Sequence, residues 1–454
     1  MEIHKPIAAL SSGSGPGGIA VIRISGDHCH QIIQSVFRFK TKVANFTPSA
    51  SRLYLGELFD PSSGETIDEP LAVFFSNPHS FTGEDSAELH IHGGPWLISK
   101  ALGILYQNGC RPALPGEFTQ RAFENGKIDL TKAEGIKALI EASSEQEWLA
   151  ARQLATGRLF SLIEDLRTKI LNAMAWLEAT IDFPDEEETA NITDNELNEK
   201  IQLVDIAIDH LLATAKSGSI ARSGLQVAIF GPPNVGKSTL MNTLLQENRA
   251  IVTNIPGTTR DYLEEKCLIE GRLIRLIDTA GIRDSNDEVE MIGIERSLEK
   301  AKSADLVLFL TSREDSLNGH QRTLDLKNSL NPTDYLLVET KADLAGVSNP
   351  DFISISSATG QGLDKLKSEI IRRIDSSVGS IRDKTFVTEP RHIHALITAK
   401  NALTAFKKVQ LEGLGSEIQA FELLEASRAL SSIIGLVDSD EVLGVIFSSF
   451  CIGK

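Results

Sequence analysis

Leu225-Gln-Val-Ala-Ile-Phe-Gly-Pro-Pro-Asn-Val-Gly-Lys-Ser238 is an apolar run that breaks into a G-x-x-x-x-G-K-S turn, and Thr239-Leu-Met-Asn-Thr-Leu-Leu245 behind it has a helical pattern. A buried strand, a glycine-rich turn and a helix in that order form a P-loop. Such a turn leaves backbone N–H groups free to wrap phosphate oxygens, which makes Asn234, Val235, Gly236, Lys237, Ser238 and Thr239 the candidate phosphate contacts. Lys237 is placed to reach the β- and γ-phosphates and the Ser238 hydroxyl to hold Mg²⁺.

Working outward, strands and helices alternate from about Leu225 to Ser376. Arg272-Leu-Ile-Arg-Leu-Ile277, Asp305-Leu-Val-Leu-Phe-Leu310, Tyr335-Leu-Leu-Val338 and Phe352-Ile-Ser-Ile355 are apolar runs with helical stretches between them. The pattern predicts a doubly wound, mainly parallel sheet with its ligand at the strand C-termini. Asp278-Thr279-Ala280-Gly281 ends one strand, with Asp278 near Mg²⁺ and the Gly281 N–H where it senses a γ-phosphate. Thr340-Lys341-Ala-Asp343 ends another, and Ser357-Ala358 follows the next. The Asp343 carboxylate accepts from the guanine N1–H and amino group, whereas adenine would need a donor there, so the expected nucleotide is GTP. A backbone N–H at Ser357-Ala358 then faces the guanine oxygen.

These elements, in this order, resemble the translation-factor-related branch of the small GTPases. Two positions depart from that pattern. Thr340 stands where an Asn is usual, which removes an amide from the base site and leaves guanine specificity to Asp343. Ile282 stands where Ras-like proteins carry a water-orienting Gln, and an isoleucine cannot hydrogen-bond water, so hydrolysis must recruit another group. The loop Thr253-Asn-Ile255-Pro-Gly-Thr258-Thr259-Arg-Asp261 supplies Thr259 for Mg²⁺, with Thr253 and Thr258 beside the nucleotide. Asn234 has two readings: a ligand, with backbone carbonyls of that loop, to a monovalent cation that stabilises transition-state charge, or a loop-fixing hydrogen bond.

At 454 residues the chain exceeds one core, and about three domains are expected. Its 41% hydrophobic and 24% charged residues are those of an ordinary soluble protein. A net charge of −17 argues against a surface that grips nucleic acid everywhere, so an RNA contact requires a local basic patch or a partner. Cys29, Cys110, Cys267 and Cys451 are scattered without C-x-x-C spacing, which points to reduced thiols and a cytoplasmic protein. The start lacks a basic-then-apolar leader and no apolar run is long enough to cross a bilayer, so no membrane association is expected.

Residues 1–120 read as an α+β domain, with strands at Ile19–Ile24, Leu71–Phe75 and Ala87–His92 and a helix at about Pro95 to Gln107. His90 and His92 share a strand face with Glu88. Two polar partners on a half-buried strand, a metal pair lacking a third ligand and a small-ligand site all fit that pattern. Residues 121–218 turn helical, with stripes Ile163, Leu166, Ile170, Met174, Leu177 and Leu197, Ile201, Val204, Ile208, Leu211, Ala215. Asp182–Glu188 between them is an acidic turn, read as a solvated connection or a cation site. Lys216–Gly224 reads as a small-residue linker, and residues 219–378 form the nucleotide-binding domain. Helical periodicity resumes across 379–454 through Ile393, Leu396, Ala399, Leu403 and Phe406. One helical domain interrupted by the nucleotide-binding unit is preferred over two, because each block offers few stripes. The fold class is therefore multidomain: an α+β N-terminal domain, an α-helical bundle and an inserted α/β P-loop domain.

The whole chain resembles the MnmE (TrmE) family of tRNA uridine-modification GTPases. The likeness rests on Pro115-Gly-Glu-Phe-Thr-Gln-Arg-Ala-Phe-Glu-Asn-Gly-Lys127, Ser80-Phe-Thr-Gly-Glu-Asp85, Gly257-Thr-Thr-Arg-Asp261, the split helical block and Cys451-Ile-Gly-Lys454. The resemblance implies an N-terminal domain that dimerises and binds 5-formyltetrahydrofolate or methylenetetrahydrofolate, here through Arg23, Glu88, Lys127 and Lys454. It implies K⁺ ligation by Asn234, Thr253, Ile255 and Thr258, and a water-positioning role for Glu290, which on its own reads as a solvated glutamate. It implies a heterocomplex with the FAD-dependent MnmG (GidA), which together with this chain adds an aminomethyl or carboxymethylaminomethyl group at C5 of a wobble uridine in tRNA. No G-x-G-x-x-G opens a βαβ unit here, so redox chemistry falls to that partner. In the family Cys451 is suspected of catalysis, while its Phe447-Ser-Ser-Phe-Cys451 setting suits a buried apolar residue as well. The rival readings are a regulatory switch in ribosome assembly, which would use none of Arg23, Glu88, Lys127 and Cys451, and a folate sensor that does not spend its ligand.

Overall fold

The computed structural model describes the chain except for residues 1–4, 14, 41–47, 183–193, 249–263, 279–301, 346–347, 380–384, 437–439 and 454. The chain divides into two compact units, Met1–Lys137 with Ser431–Lys454, and Ala138–Leu430.

The first unit contains β1 (Ile7–Leu10), β2 (Gly17–Ser25), α1 (Cys29–Val36), β3 (Phe37–Phe39), β4 (Leu53–Phe59), β5 (Thr66–Asp68), β6 (Leu71–Phe75), β7 (Ser86–Gly93), α2 (Pro95–Gln107), β8 (Arg111–Pro112), α3 (Glu117–Glu124) and most of α4 (Leu130–Glu141). The strands form one sheet in the order β3-β4-β6-β7-β2-β1-β8, with β5 on β4. Alternation along β2, β6 and β7 sends Ile22, Ile24, Ala72, Phe74, Leu89 and Ile91 to one face, where Ile33, Ile98, Ala101 and Leu105 of α1 and α2 cover them. The opposite face carries Val21 across from His90 and Arg23 across from Glu88. It runs out to Leu53, Leu55 and Leu71, which are 56%, 50% and 37% exposed. The C-terminal segment closes this unit: Phe447 and Phe450 pack on Leu130 and Ala133.

The second unit begins with α5 (Glu145–Ala155), α6 (Arg158–Asp182), α7 (Asp194–Ala213) and α8 (Ala215–Ser223). The nucleotide-binding segment follows, with β9 (Leu225–Phe230), α9 (Lys237–Asn248), β10 (Glu264–Ile269), β11 (Arg272–Asp278), β12 (Leu306–Ser312), α10 (Ser316–Leu330), β13 (Tyr335–Thr340), β14 (Ile353–Ser354) and α11 (Leu363–Val378). Then come α12 (Pro390–Leu411) and α13 (Ser416–Ile434), while α14 (Asp440–Ser448) belongs to the first unit. The apolar stripes predicted for α6 and α7 are buried at Ile163, Leu166, Ile170, Leu177, Leu197, Ile201, Val204 and Ile208. Helices from both sides of the nucleotide-binding segment pack together, α7 against α6 and α12. Lys400 and Lys407 of α12 reach the Asp205 carboxylate of α7 at 2.7 and 2.5 Å.

Lys216–Gly224 is not a linker. Its small residues form α8, with Ile220 and Ala221 buried and Ser217 Oγ donating to the Ser377 carbonyl at 2.5 Å. A Cβ on Gly218 would collide with the Val387 carbonyl, so the small side chain permits close packing of chain segments. Composition alone reads the same residues as flexibility, because Gly and Ser serve both purposes.

The second sheet has the order β10-β11-β9-β12-β13-β14. β10 runs antiparallel to β11, and the remaining neighbours are parallel. All C-termini of the parallel strands therefore open on one edge, as a doubly wound sheet requires.

Candidate functional site

On that edge β9 leads into the P-loop and α9 starts at Lys237. Asn234 sits at φ 60° and Gly236 at φ 95°, and the turn between them exposes the Asn234 side chain. Lys237 Nζ donates to the Gly231 and Pro232 carbonyls, each at 2.8 Å, which holds the ammonium over the loop. Ser238 and Thr239 are exposed on the first turn of α9, where helix N–H groups and the helix dipole favour an anion. Val235 is buried beneath the loop.

The residues expected on the base side begin at the end of β13. Thr340 is buried, and its hydroxyl lies 2.6 Å from the Val235 carbonyl and 3.1 Å from that of Thr311. With one proton to give, it serves the P-loop first. Lys341 follows at φ 56° and pairs with Glu314. Asp343 is exposed, and a hydrogen bond from the Ser356 side chain holds its carboxyl below the usual range, with smaller help from Arg313 and Lys341. The Ala342 N–H donates to the Ile355 carbonyl at 3.0 Å, so the β13 and β14 loops form one platform. Ser357 is half-buried and Ala358 exposed upon it. Asp278 pairs with Ile229 through the backbone at the end of β11. Thr253, Ile255, Thr258, Thr259, Thr279, Ala280, Gly281, Ile282 and Glu290 lie outside the described residues, as does most of the acidic turn after Asp182.

Sequence reading missed the support under this platform. Glu339 is fully buried, yet its carboxylate accepts from Arg313 Nη2 at 2.7 Å, Ser354 Oγ at 2.9 Å and His320 Nε2 at 3.0 Å. Burial pushes Glu339 up, but those hydrogen bonds and the Arg313 charge outweigh it and leave the carboxyl below its usual range. The available signal was a carboxylate inside the apolar strand Tyr335–Thr340, which demands a partner.

In the first unit Arg23 and Glu88 meet at 2.9 Å. The guanidinium carbon lies 5.5 Å from the Phe81 ring centre and 6.0 Å from that of Phe118. Glu88 also faces His90 Nε2 at 3.4 Å, whereas His92 bonds Asp68 at 2.7 Å. Among the described residues no group of three or more His, Cys, Asp or Glu is arranged to hold a metal ion. Lys127 Nζ donates to the Pro78 carbonyl at 2.8 Å. The C-terminal tetrapeptide lies against β1: Ser11 Oγ donates to the Gly453 carbonyl at 2.5 Å, and the Gly116 N–H to that of Cys451 at 3.2 Å. Ala9 on β1 is the register partner of Arg23, so the tail runs beside the strand that neighbours the Arg23–Glu88 pair. Lys454 lies outside the described residues. Cys451 is half-buried, while burial pushes Cys110 and Cys267 up to about 12 and Cys29 higher still. Among the described residues no helix is long and apolar enough to cross a membrane.

A strand–P-loop–helix unit on a mainly parallel sheet, with Thr340-Lys-Ala-Asp343 at the end of a further strand, defines a P-loop GTPase. A family model described as the MnmE helical domain matches residues 130–451, and one described as the GTP-binding protein TrmE N-terminus matches residues 6–127. A "tRNA modification GTPase MnmE" of Aquifex aeolicus (strain VF5) is 38% identical over 459 residues, covering 100% of both chains. Another of that name from Natranaerobius thermophilus is 39% identical over 459 residues, covering 99% of each. A solved G domain of the T. maritima FeoB iron transporter is 28% identical over 33% of this chain and 98% of that one, with a TM-score of 0.25. The chain belongs to the MnmE family of tRNA modification GTPases, and it is a GTPase.

Proposed function

We propose that the chain hydrolyses GTP, with Mg²⁺ and K⁺, to drive a conformational cycle in a tRNA-modifying complex. The product is an aminomethyl or carboxymethylaminomethyl group at C5 of a wobble uridine. The observation that carries this reading is the full-length correspondence with relatives named as tRNA modification GTPases, which extends over both compact units.

The nucleotide is held by the P-loop residues Asn234 to Thr239, by Thr340, Lys341 and Asp343, and by Ser357-Ala358, completed by Asp278 and by residues of the 253–259 and 279–281 segments. Ser238 and Thr259 ligate Mg²⁺. Asn234, Thr253, Ile255 and Thr258 ligate K⁺, and Glu290 positions the water. Folate binds in the first unit, where the Arg23–Glu88 pair beside Phe81 and Phe118 combines a carboxylate for the pterin donor edge with cation and ring surfaces. Lys127 and Lys454 then meet the folate carboxylates. The exposed Leu53, Leu55 and Leu71 on one sheet face support dimerisation through this unit. An FAD-dependent partner supplies the redox step and much of the phosphate contact with tRNA, which suits a chain of net charge −17. Both the GTP cycle and the partner operate in the cytoplasm.

Mass spectrometry of tRNA nucleosides from cells lacking the gene tests this reading. Loss of a C5-aminomethyl-type uridine, restored by the wild-type gene, is expected, and an unchanged nucleoside profile would overturn the modification role. Label in the folate one-carbon group should then appear on the uridine; a label that stays on folate would make the first unit a sensor.

A further inference from the structure

We infer that Arg313 is the positioning residue that gives this chain its guanine selectivity, acting through the Ala342 carbonyl. The inference rests on the assignment of Asp343 as the group that reads the base. The starting observation is a shortfall: Thr340 has no amide, and its hydroxyl is engaged with the Val235 carbonyl of the P-loop. Discrimination therefore falls on Asp343, which is exposed; the Ser356 side chain bonds its carboxylate, and the loop that carries it is held from beneath.

Arg313 follows directly on β12 and is the side chain that reaches both parts of that support. Its Nε and Nη2 donate to Glu339 Oε2 at 3.0 and 2.7 Å, and its Nη1 donates to the Ala342 carbonyl at 2.6 Å. Ala342 is the residue immediately before Asp343, so one guanidinium joins the end of β13 to the loop that carries the base-reading carboxylate. Glu339 is itself fixed by His320 at its other oxygen, Oε1, and by Ser354 at Oε2. A planar, five-donor guanidinium can make these contacts together, and an ammonium on a flexible stem cannot. The buried carboxylate keeps Arg313 in place, because leaving either charge unpaired there is strongly unfavourable.

A network that only stabilised the fold would weaken all nucleotides alike. A positioning network affects the contacts made by Asp343, and guanine differs from hypoxanthine by the 2-amino group that Asp343 accepts. The test measures dissociation constants of GDP and IDP for wild type, Arg313→Met, Arg313→Lys and Asp343→Ala in the full chain, with thermal melting alongside. Arg313→Met and Arg313→Lys are expected to weaken GDP about tenfold, in the range of a lost charged hydrogen bond, and to shrink the GDP-over-IDP preference. If Arg313→Met does not fold, Arg313→Lys, which keeps the charge beside Glu339, decides the matter. An unaltered GDP-to-IDP ratio in the folded Arg313 variants, with Asp343→Ala abolishing the preference, overturns the inference alone. A preference that survives Asp343→Ala overturns the base-site assignment beneath it.

Discussion

The Thr340 hydroxyl and the Val235 carbonyl lie 2.6 Å apart, which ties the end of β13 to the P-loop. Removing this bond leaves a buried carbonyl without its donor, at a cost of about 1–3 kcal/mol. Thr340→Val keeps the shape and deletes the hydroxyl, so GDP affinity should fall roughly tenfold. Fluorescent GDP titration reads the change, and wild-type affinity in Thr340→Val would show that the tie is dispensable.

Glu117 lies within the motif Pro115-Gly-Glu-Phe-Thr-Gln-Arg121 and is bonded by Arg111 at 2.5 Å and by Arg121 at 2.9 Å. Burial opposes its charge, but the bonds from Arg111, the Leu114 N–H and Arg121 win and hold its carboxyl below the ordinary 4.5. A folded pKa below the unfolded one means that the stabilisation is complete above about pH 4.5 and is lost as pH falls through the depressed value. Glu117→Gln should therefore be destabilised most at neutral pH, and the gap from wild type should narrow below that point. Urea unfolding from pH 7 to pH 3 measures the gap; one that widens on acidification would contradict the assignment.

Gly453 is at φ 91°, and a Cβ there would run into the Leu10 carbonyl. Gly453→Ala should lift the C-terminal tail from β1 and expose Cys451. A thiol reagent reads this directly, because Cys29, Cys110 and Cys267 are buried with thiols pushed far up by burial. Several-fold faster labelling of Cys451 is expected, together with weaker tetrahydrofolate binding. Labelling at the wild-type rate would mean that Gly453 does not hold the tail.

The parallel sheet was legible because apolar runs of strand length had to be buried, and they form β9, β11, β12 and β13. Helical stripes such as Ile163-Leu166-Ile170 were legible for the same reason: one face had to be buried, and it is. Pairings across strands were not. Arg313 and Glu339 are separated by 26 positions and meet because β12 and β13 run side by side, with Thr311 in register with Glu339. His92 likewise finds Asp68 across 24 positions, because its Nδ1 on β7 meets a carboxylate at the end of β5. The α8 helix was hidden because close packing and flexibility select the same small residues, and it takes contacts such as the Val387 carbonyl beside Gly218 to distinguish them.

Asn234 offers a test of K⁺ dependence that its own backbone complicates. Its φ of 60° lies in the left-handed region, where Asn is tolerated and Ala is strained by roughly 1 kcal/mol. An Asn234→Ala variant would therefore change both the loop and the oxygen ligand. Asn234→Gly removes the side-chain oxygen while keeping the backbone conformation accessible, and Asn234→Asp keeps an oxygen. If the side chain ligates K⁺, GTP hydrolysis by Asn234→Gly should be equally slow in KCl and NaCl, while Asn234→Asp retains a difference between the two salts. GDP affinity measured in parallel separates a distorted loop from a lost ligand: a normal affinity with no salt preference identifies the cation site. A K⁺ preference that persisted in Asn234→Gly would assign the side chain to fixing the loop and leave the cation to other groups.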